Sequence, residues 1–314
     1  MKLLTKKTNF LFFVMLAFVF ISSTALAISG QIVVPNQLIN HLSNQPPRAF
    51  PPNPVLAAEF FFPVISGQGA FAVDLNSGVP LYEKNADAAL LPASTTKIIT
   101  ALVALDNYQL DQVLTVGKGV RVDGQKMGLY PGEQMKVEDL LYGLLVYSAN
   151  DAAMVLAQNF QGGYSDFIDA MNTKAAEIFM INSHFENPVG LDGIRQHSTA
   201  KDLVRASEVA MRNPEFAKIV GTKQVTVTDV TGKSIYNLRN INELLGSVPG
   251  VLGVKTGWTK NARENLVTYI ERDGHRVIIA VLGSQDRFGE TKELIDWIFT
   301  NYSWQEVVPT NSKL

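Results

Sequence analysis

The chain has 314 residues, 46% of them hydrophobic and 18% charged, with 27 basic and 29 acidic side chains and a formal charge of -2. That is enough apolar material for one large domain or two small ones, and charges so evenly mixed form no basic stripe to neutralise phosphates, which argues against nucleic acid as a partner. The absence of cysteine removes disulfides, thiolate metal sites and a lipid-modified cysteine anchor, so stability must come from the core.

Along the chain, Lys2, Lys6 and Lys7 precede an apolar run over 10–21, followed by Ser22, Ser23, Thr24 and the small-residue pattern Ala25-Leu26-Ala27. This predicts a signal peptide over 1–27 and a mature start near Ile28. A retained anchor is the alternative, since 25–34 adds apolar material to a run short of the roughly 20 residues a span needs. Residues 28–63 carry seven prolines and few charges, the composition of a linker or extended arm. Two strands, 70–75 and 79–83, flank the turn cluster Asn76-Ser77-Gly78. From Thr95 to about Gly221 the pattern is mostly helical: Ile98, Leu102 and Leu105 share a face, and Leu140, Leu141, Leu144 and Leu145 follow the acidic start Glu138-Asp139. Strands return at 251–258, then at 266–272 and 276–282 around Asp273-Gly274, a strong hairpin signal. An amphipathic helix over about 290–302 closes the folded part, 64–303, and 304–314 is a short tail. Strands at both ends with helices between them predict an α+β fold: one antiparallel sheet flanked by helices, with an inserted helical subdomain.

Three short motifs carry the chemistry. In Ser94-Thr95-Thr96-Lys97, a helix starting after Pro92-Ala93 puts residues three apart on one face, with Cβ atoms about 5 to 6 Å apart. Ser94 Oγ can then meet Lys97 Nζ, which becomes a base if burial and nearby positive charge lower its pKa. Ser-x-x-Lys also occurs at Ser198-Thr199-Ala200-Lys201, where the better reading is a helix cap, Thr199 with Asp202 three residues on. Ser148-Ala149-Asn150 sits at a short connection between helical stretches; Ser148 can relay a proton between Lys97 and a leaving amine, and Asn150 can hold Lys97 and donate to a substrate carbonyl, although either residue would also serve as a plain N-cap. Lys255-Thr256-Gly257 ends a strand, where period two places Lys255 and Gly257 on one side. A cation beside a surface without a side chain suits an extended peptide presenting its carboxylate, and the backbone N–H groups of Ser94 and Trp258 are candidates for an oxyanion hole. By itself, Lys-Thr-Gly is more often an exposed strand end or turn.

In this order the three motifs resemble the signature of penicillin-binding proteins and class A β-lactamases. The chain resembles, over about 70–302, the low-molecular-mass penicillin-binding proteins of the D-alanyl-D-alanine carboxypeptidase type. The likeness extends to 91–97, 127–133, 137–145, 187–192 and 197–203, read as LPASTTK, MGLYPGE, VEDLLYGLL, NPVGLD and HSTAKDL. It implies a β-lactamase/transpeptidase-like D,D-peptidase domain over 64–303. It also implies a serine carboxypeptidase in which Ser94 attacks the D-Ala-D-Ala amide of peptidoglycan stem peptides, with no metal or organic cofactor and with β-lactams as covalent inhibitors. A cell-wall enzyme of this kind is exported, periplasmic or extracellular. Arg287 looks like the family's second cation near the substrate carboxylate; a surface arginine is the plain alternative. Two departures stand out: Ala262-Arg263 where the family usually has glycine after the alanine, which is expected to reshape the cleft rim, and Lys201 for a usual arginine. Many relatives add a β-rich C-terminal domain with a membrane-binding helix, so a tether here is expected through the N-terminus only.

Among competing readings, a class A β-lactamase lacks its Glu-x-x-Leu-Asn segment between Asn150 and Lys255. A D,D-endopeptidase cutting cross-links uses identical chemistry and differs only at the cleft rim. A non-catalytic penicillin-binding sensor is disfavoured by the complete motif set. A Ser-His-Asp hydrolase is poorly supported, because His41, His184, His197 and His275 lack a Gly-x-Ser-x-Gly partner.

Overall fold

A computed structural model of the chain describes residues 51–57, 61–120 and 122–307. The expected signal peptide and most of the proline-rich stretch lie outside the described residues. Strand β1 (Asn53–Leu56) comes first, then β2 (Gly69–Asp74) and β3 (Pro80–Lys84). A single 3-10 turn, Ala93–Thr96, leads into α1 (Lys97–Asn107). The middle holds β4 (Val113–Thr115), β5 (Gln134–Lys136), α2 (Val137–Leu145), α3 (Asn150–Gln158), α4 (Tyr164–Glu177), α5 (Ala200–Met211) and α6 (Pro214–Val220). The last part comprises β6 (Gln224–Thr228), β7 (Ile235–Arg239), β8 (Val251–Thr259), β9 (Arg263–Arg272), β10 (His275–Ser284), α7 (Arg287–Asn301) and β11 (Tyr302–Gln305).

The central sheet has the order β3-β2-β10-β9-β8, with every neighbour antiparallel. Its two edges therefore come from opposite ends of the sequence, and the helices lie between them in the chain, as the α+β reading expects. The sheet is covered on both faces, and period two sorts its side chains. Along β10, Ile278, Ala280 and Leu282 join one core with the helical subdomain, while Val277, Ile279 and Val281 join another with Leu294, Ile295 and Ile298 of α7. That is why 276–282 reads as an almost unbroken apolar run rather than an alternating one.

Local signals explain several boundaries. Thr199 caps α5 by accepting from Asp202 N at 3.0 Å, Asn213 caps α6 ahead of Pro214, and Asp286 caps α7 through Gly289 N at 2.9 Å. Such a cap is worth about 1 kcal/mol. Three pairings depart from the sequence expectation. β1, inside the proline-rich stretch, pairs with β11 at the far end of the chain, and the following segment is tied down by Trp297 Nε1 to Phe61 O at 2.7 Å and Lys84 Nζ to Ile65 O at 2.7 Å. The supposedly helical middle contains the β4–β5 pair, three residues on each side, too short for a period to show. The β6–β7 hairpin was not anticipated either; its signals are the alternation in Gln224–Thr228 and the turn in which Asp229 accepts from Ser234 N at 2.8 Å.

Candidate active site

The 3-10 turn carrying Ser94 is set by its neighbours rather than by its own sequence. Ala93 has φ +48°, a left-handed conformation that costs a residue with a Cβ. It is held there by close approaches from two glycines. A Cβ on Gly257 would sit 3.0 Å from Pro92 O and Ser94 N, and Gly190, itself at φ +87°, has no room for a Cβ against the Ala93 carbonyl. Asn265, fully buried on β9, clamps the approach by donating to Leu91 O at 2.9 Å while accepting from Gly283 N at 2.8 Å. This corrects the expectation that the missing side chain of Gly257 leaves an open surface. The space is filled by the Ser94 turn, packed against β8.

Lys97 opens α1 one step after the turn and is fully buried. Its Nζ lies 2.8 Å from Ser94 Oγ, 2.7 Å from Asn150 Oδ1 and 2.8 Å from Val189 O. Burial pulls its pKa down to about 7, and the nearby Asp151 carboxylate opposes the shift. The partners decide where a lone pair can point. Val189 O and Asn150 Oδ1 only accept; the amide orientation of Asn150 is set because its Nδ2 donates to Asp123 O. A neutral amine spends its two hydrogens on these acceptors, so its lone pair faces the one group that can donate, Ser94 Oγ.

Ser148 lies in the connection between α2 and α3, at φ +63°. Its side chain caps neither helix: α3 has Ala149 as N-cap with no side-chain capping bond. Instead Ser148 Oγ accepts from Lys255 Nζ at 2.8 Å. Asp151, the next residue after Asn150, accepts from Met127, Gly128 and Leu129 N at 2.8 to 3.0 Å. It thereby fixes the loop that borders the site on this side.

Lys255 is only 1% exposed and lies behind Ser148 instead of lining the cleft. Its second bond goes to its neighbour's carbonyl, Thr256 O, at 2.9 Å. Burial, with Lys97 and Arg287 adding to it, pushes the Lys255 ammonium well below its ordinary pKa. The groups that do reach the cleft from this side are Thr256, whose buried Oγ1 has no hydrogen-bond partner, and Arg287. Arg287 Nη1 donates to Gly257 O at 3.0 Å, while its buried Nε has no partner. An open cleft of about 600 Å³ runs from Arg287 and Thr256 past Ser94 to Trp258, Leu191 and Lys260. Trp258 is 62% exposed on its rim. Across that rim Asp192 accepts from Thr259 Oγ1 at 2.7 Å and Asn261 Nδ2 at 3.0 Å.

The structure thus brings Ser94, Lys97, Ser148, Asn150, Lys255, Thr256, Gly257, Trp258 and Arg287 to one place. Sequence reasoning missed Val189 and Asn265, and had no signal for either beyond the stretch 187–192, since a backbone carbonyl has no identity in a motif. Arg263 begins β9 in a left-handed conformation, φ +60°, that glycine adopts freely. It does not itself line the cleft but pairs with Thr259, which does. Ser198 is fully buried elsewhere, its Oγ paired with Ser183 Oγ at 2.8 Å. Among the described residues no cluster of His, Cys, Asp or Glu is arranged to hold a metal ion, and no helix is long and apolar enough to cross a membrane.

A family model described as D-alanyl-D-alanine carboxypeptidase matches residues 58–286. The chain is 32% identical over 253 residues to the D-alanyl-D-alanine carboxypeptidase DacF of Bacillus subtilis, covering 78% of this chain but 65% of that protein, so the chain spans about two thirds of its length. It is 36% identical over 235 residues to the D-alanyl-D-alanine carboxypeptidase DacB2 of Mycobacterium tuberculosis, covering 72% and 80%. Among solved structures, the Streptomyces K15 DD-transpeptidase superposes with a TM-score of 0.73 at 34% identity, covering 77% of this chain and 100% of that one.

Proposed function

Because the chain belongs to the D-alanyl-D-alanine carboxypeptidase family, we propose that it is a serine-type D-Ala-D-Ala carboxypeptidase of peptidoglycan stem peptides. The observation that carries the reading is the buried Lys97 amine, with a pKa of about 7, directed at Ser94 Oγ by two acceptors that cannot donate.

Ser94 Oγ attacks the carbonyl of the penultimate D-alanine as Lys97 takes its proton. The N–H groups of Ser94 and Trp258 receive the developing oxyanion; losing one such donor typically costs about 3 to 4 kcal/mol in the transition state. The amide C–N bond breaks, and the proton passes to the leaving amine through Ser148. Terminal D-alanine departs, leaving the shortened peptide as an ester on Ser94. Water, with Lys97 again as base, hydrolyses the ester and restores the serine. The free hydrogen of Asn150 Nδ2 donates to a carbonyl of the bound peptide. The terminal carboxylate sits at Thr256 and Arg287, which line the cleft and whose buried Oγ1 and Nε have no hydrogen-bond partner among the described residues. Lys255 acts from behind, polarising Ser148 and adding positive potential. A β-lactam ring enters by the same route, with its carboxylate at Thr256 and Arg287, and is held as a stable ester.

The proposal places the D,D-peptidase domain at 64–303 and the enzyme outside the cytoplasmic membrane. Export rests on the N-terminal pattern ending in Ala25-Leu26-Ala27, and sequencing the exported protein's N-terminus distinguishes a start near Ile28 from a retained tether. The deciding assay for activity is purified protein with a pentapeptide ending in D-Ala-D-Ala. One D-alanine released per peptide shortened is expected; no release from a fully folded sample would overturn the reading.

A further inference from the structure

The cleft does not stop at Arg287. A second cavity of about 620 Å³ continues beyond it, and Ile241 and Arg287 line both. The additional lining includes Lys223, which precedes β6, Arg239 at the end of β7, and Asn242 and Glu243 in the following loop. Three cations thus face one carboxylate, Glu243, with Glu264 bonded to the backbone N of Arg287 at 3.0 Å. Neither Lys223 nor Arg239 has an ion-pair partner among the described residues, and neither side chain makes a hydrogen bond there.

Two features show that this pocket is built to receive a polar group. Asn242 is 95% buried, yet its Nδ2 has no partner; its Oδ1 accepts from Leu244 N at 3.1 Å, which leaves the amide hydrogens free. A buried donor left unpaired costs about 1 to 3 kcal/mol. The buried Nε of Arg287 is unpaired as well. Unpaired donors and unpaired cations around one cavity call for an anion with several acceptor oxygens.

We propose that this cavity is a subsite for the leaving group, selecting D-amino acids whose side chain carries a second carboxylate, or a peptide bearing one, over bare D-alanine. The proposal rests on the carboxypeptidase reading, because that reading puts the leaving residue's own carboxylate at Thr256 and Arg287. Its side chain is then the part of the substrate positioned to enter the space beyond. The same acyl transfer to Ser94 follows, but the released amine is larger. A cross-linked stem, whose leaving residue extends into a second acidic peptide, has this chemistry.

The test compares three acyl donors identical up to the penultimate D-alanine and ending in D-alanine, D-glutamate or D-glutamine. D-glutamate is expected to exceed its neutral isostere D-glutamine in kcat/KM by about tenfold, equivalent to about 1.4 kcal/mol. In Lys223→Ala/Arg239→Ala the preference falls to near unity, while turnover of the D-alanine substrate stays within about twofold. Titration calorimetry of the same peptides with the Ser94→Ala protein reads the subsite without turnover, and tighter binding of the D-glutamate peptide is expected. Equal kcat/KM and equal binding for D-glutamate and D-glutamine, or a preference that survives in the double variant, overturns the subsite. Charge-dependent binding with no release of the terminal residue from any of the three substrates supports the subsite and instead overturns the carboxypeptidase reading.

Discussion

Two segments of this chain read Ser-x-x-Lys, at 94–97 and 198–201, and the fold treats them differently. In the first, Ser94 already lies in the 3-10 turn that runs into α1, so three residues of helical rise bring Ser94 Oγ to 2.8 Å from Lys97 Nζ. In the second, Ser198 is still extended and pairs with Leu90, its N bonded to Leu90 O at 2.9 Å, and helix begins only at Ala200. The neighbour relation of residues three apart holds only where both are helical, so Lys201 Nζ points elsewhere, to Asp87 at 3.4 Å on the surface. Burial then separates the two lysines further. Lys97 is sealed among acceptors and pulled down to about 7, whereas the Lys201 side chain is 43% exposed. The spacing supplies a possibility; the backbone state of the serine and the solvation of the lysine make it chemistry.

The largest expected effect distinguishes the two serines. Benzylpenicillin should add one drug equivalent to the intact mass of the wild-type protein and of Ser198→Ala, and none to Ser94→Ala, whose turnover should fall by at least about a thousandfold. Labelling that persists in Ser94→Ala would sink the assignment of the nucleophile.

Next comes the contrast between charge and basicity. Lys97→Arg keeps the cation but replaces the base with a guanidinium that stays protonated, so acylation should fall by on the order of 10² to 10⁴-fold. In the wild type the neutral amine is the active form, and below about pH 7 protonation of Lys97 depletes it. Acylation should therefore drop about tenfold for each pH unit below that point and level off above it. A rate flat from pH 5 to 8 would remove Lys97 from the role of base.

The smallest effects belong to the second segment and read out in stability alone. Thr199→Ala removes the α5 cap and should lower unfolding free energy by about 1 kcal/mol in denaturant titration. Lys201→Ala removes an exposed ion pair and should cost less than about 0.5 kcal/mol. D-alanine release should be unchanged in both; a tenfold loss in either would mean that this segment takes part in catalysis.

What the sequence determined by itself was whatever travels in local patterns: the three motifs and their order, the hairpin at Asp273-Gly274, the cap at Thr199, and the strands at both ends that make the sheet antiparallel with helices inserted. These are set by residue type and periodicity within a few positions, so they can be read one segment at a time. Only the tertiary structure decided that Lys97 completes its bonds on the carbonyl of Val189, 92 residues away. It alone put Lys255 behind Ser148, filled the space at Gly257 with the Ser94 turn, and drew Asn53–Leu56 out of the proline-rich stretch to pair with β11. Desolvation, close backbone approach and backbone acceptors depend on which distant segments meet. They set the pKa of the proposed base and the shape of the cleft, and no local pattern encodes them.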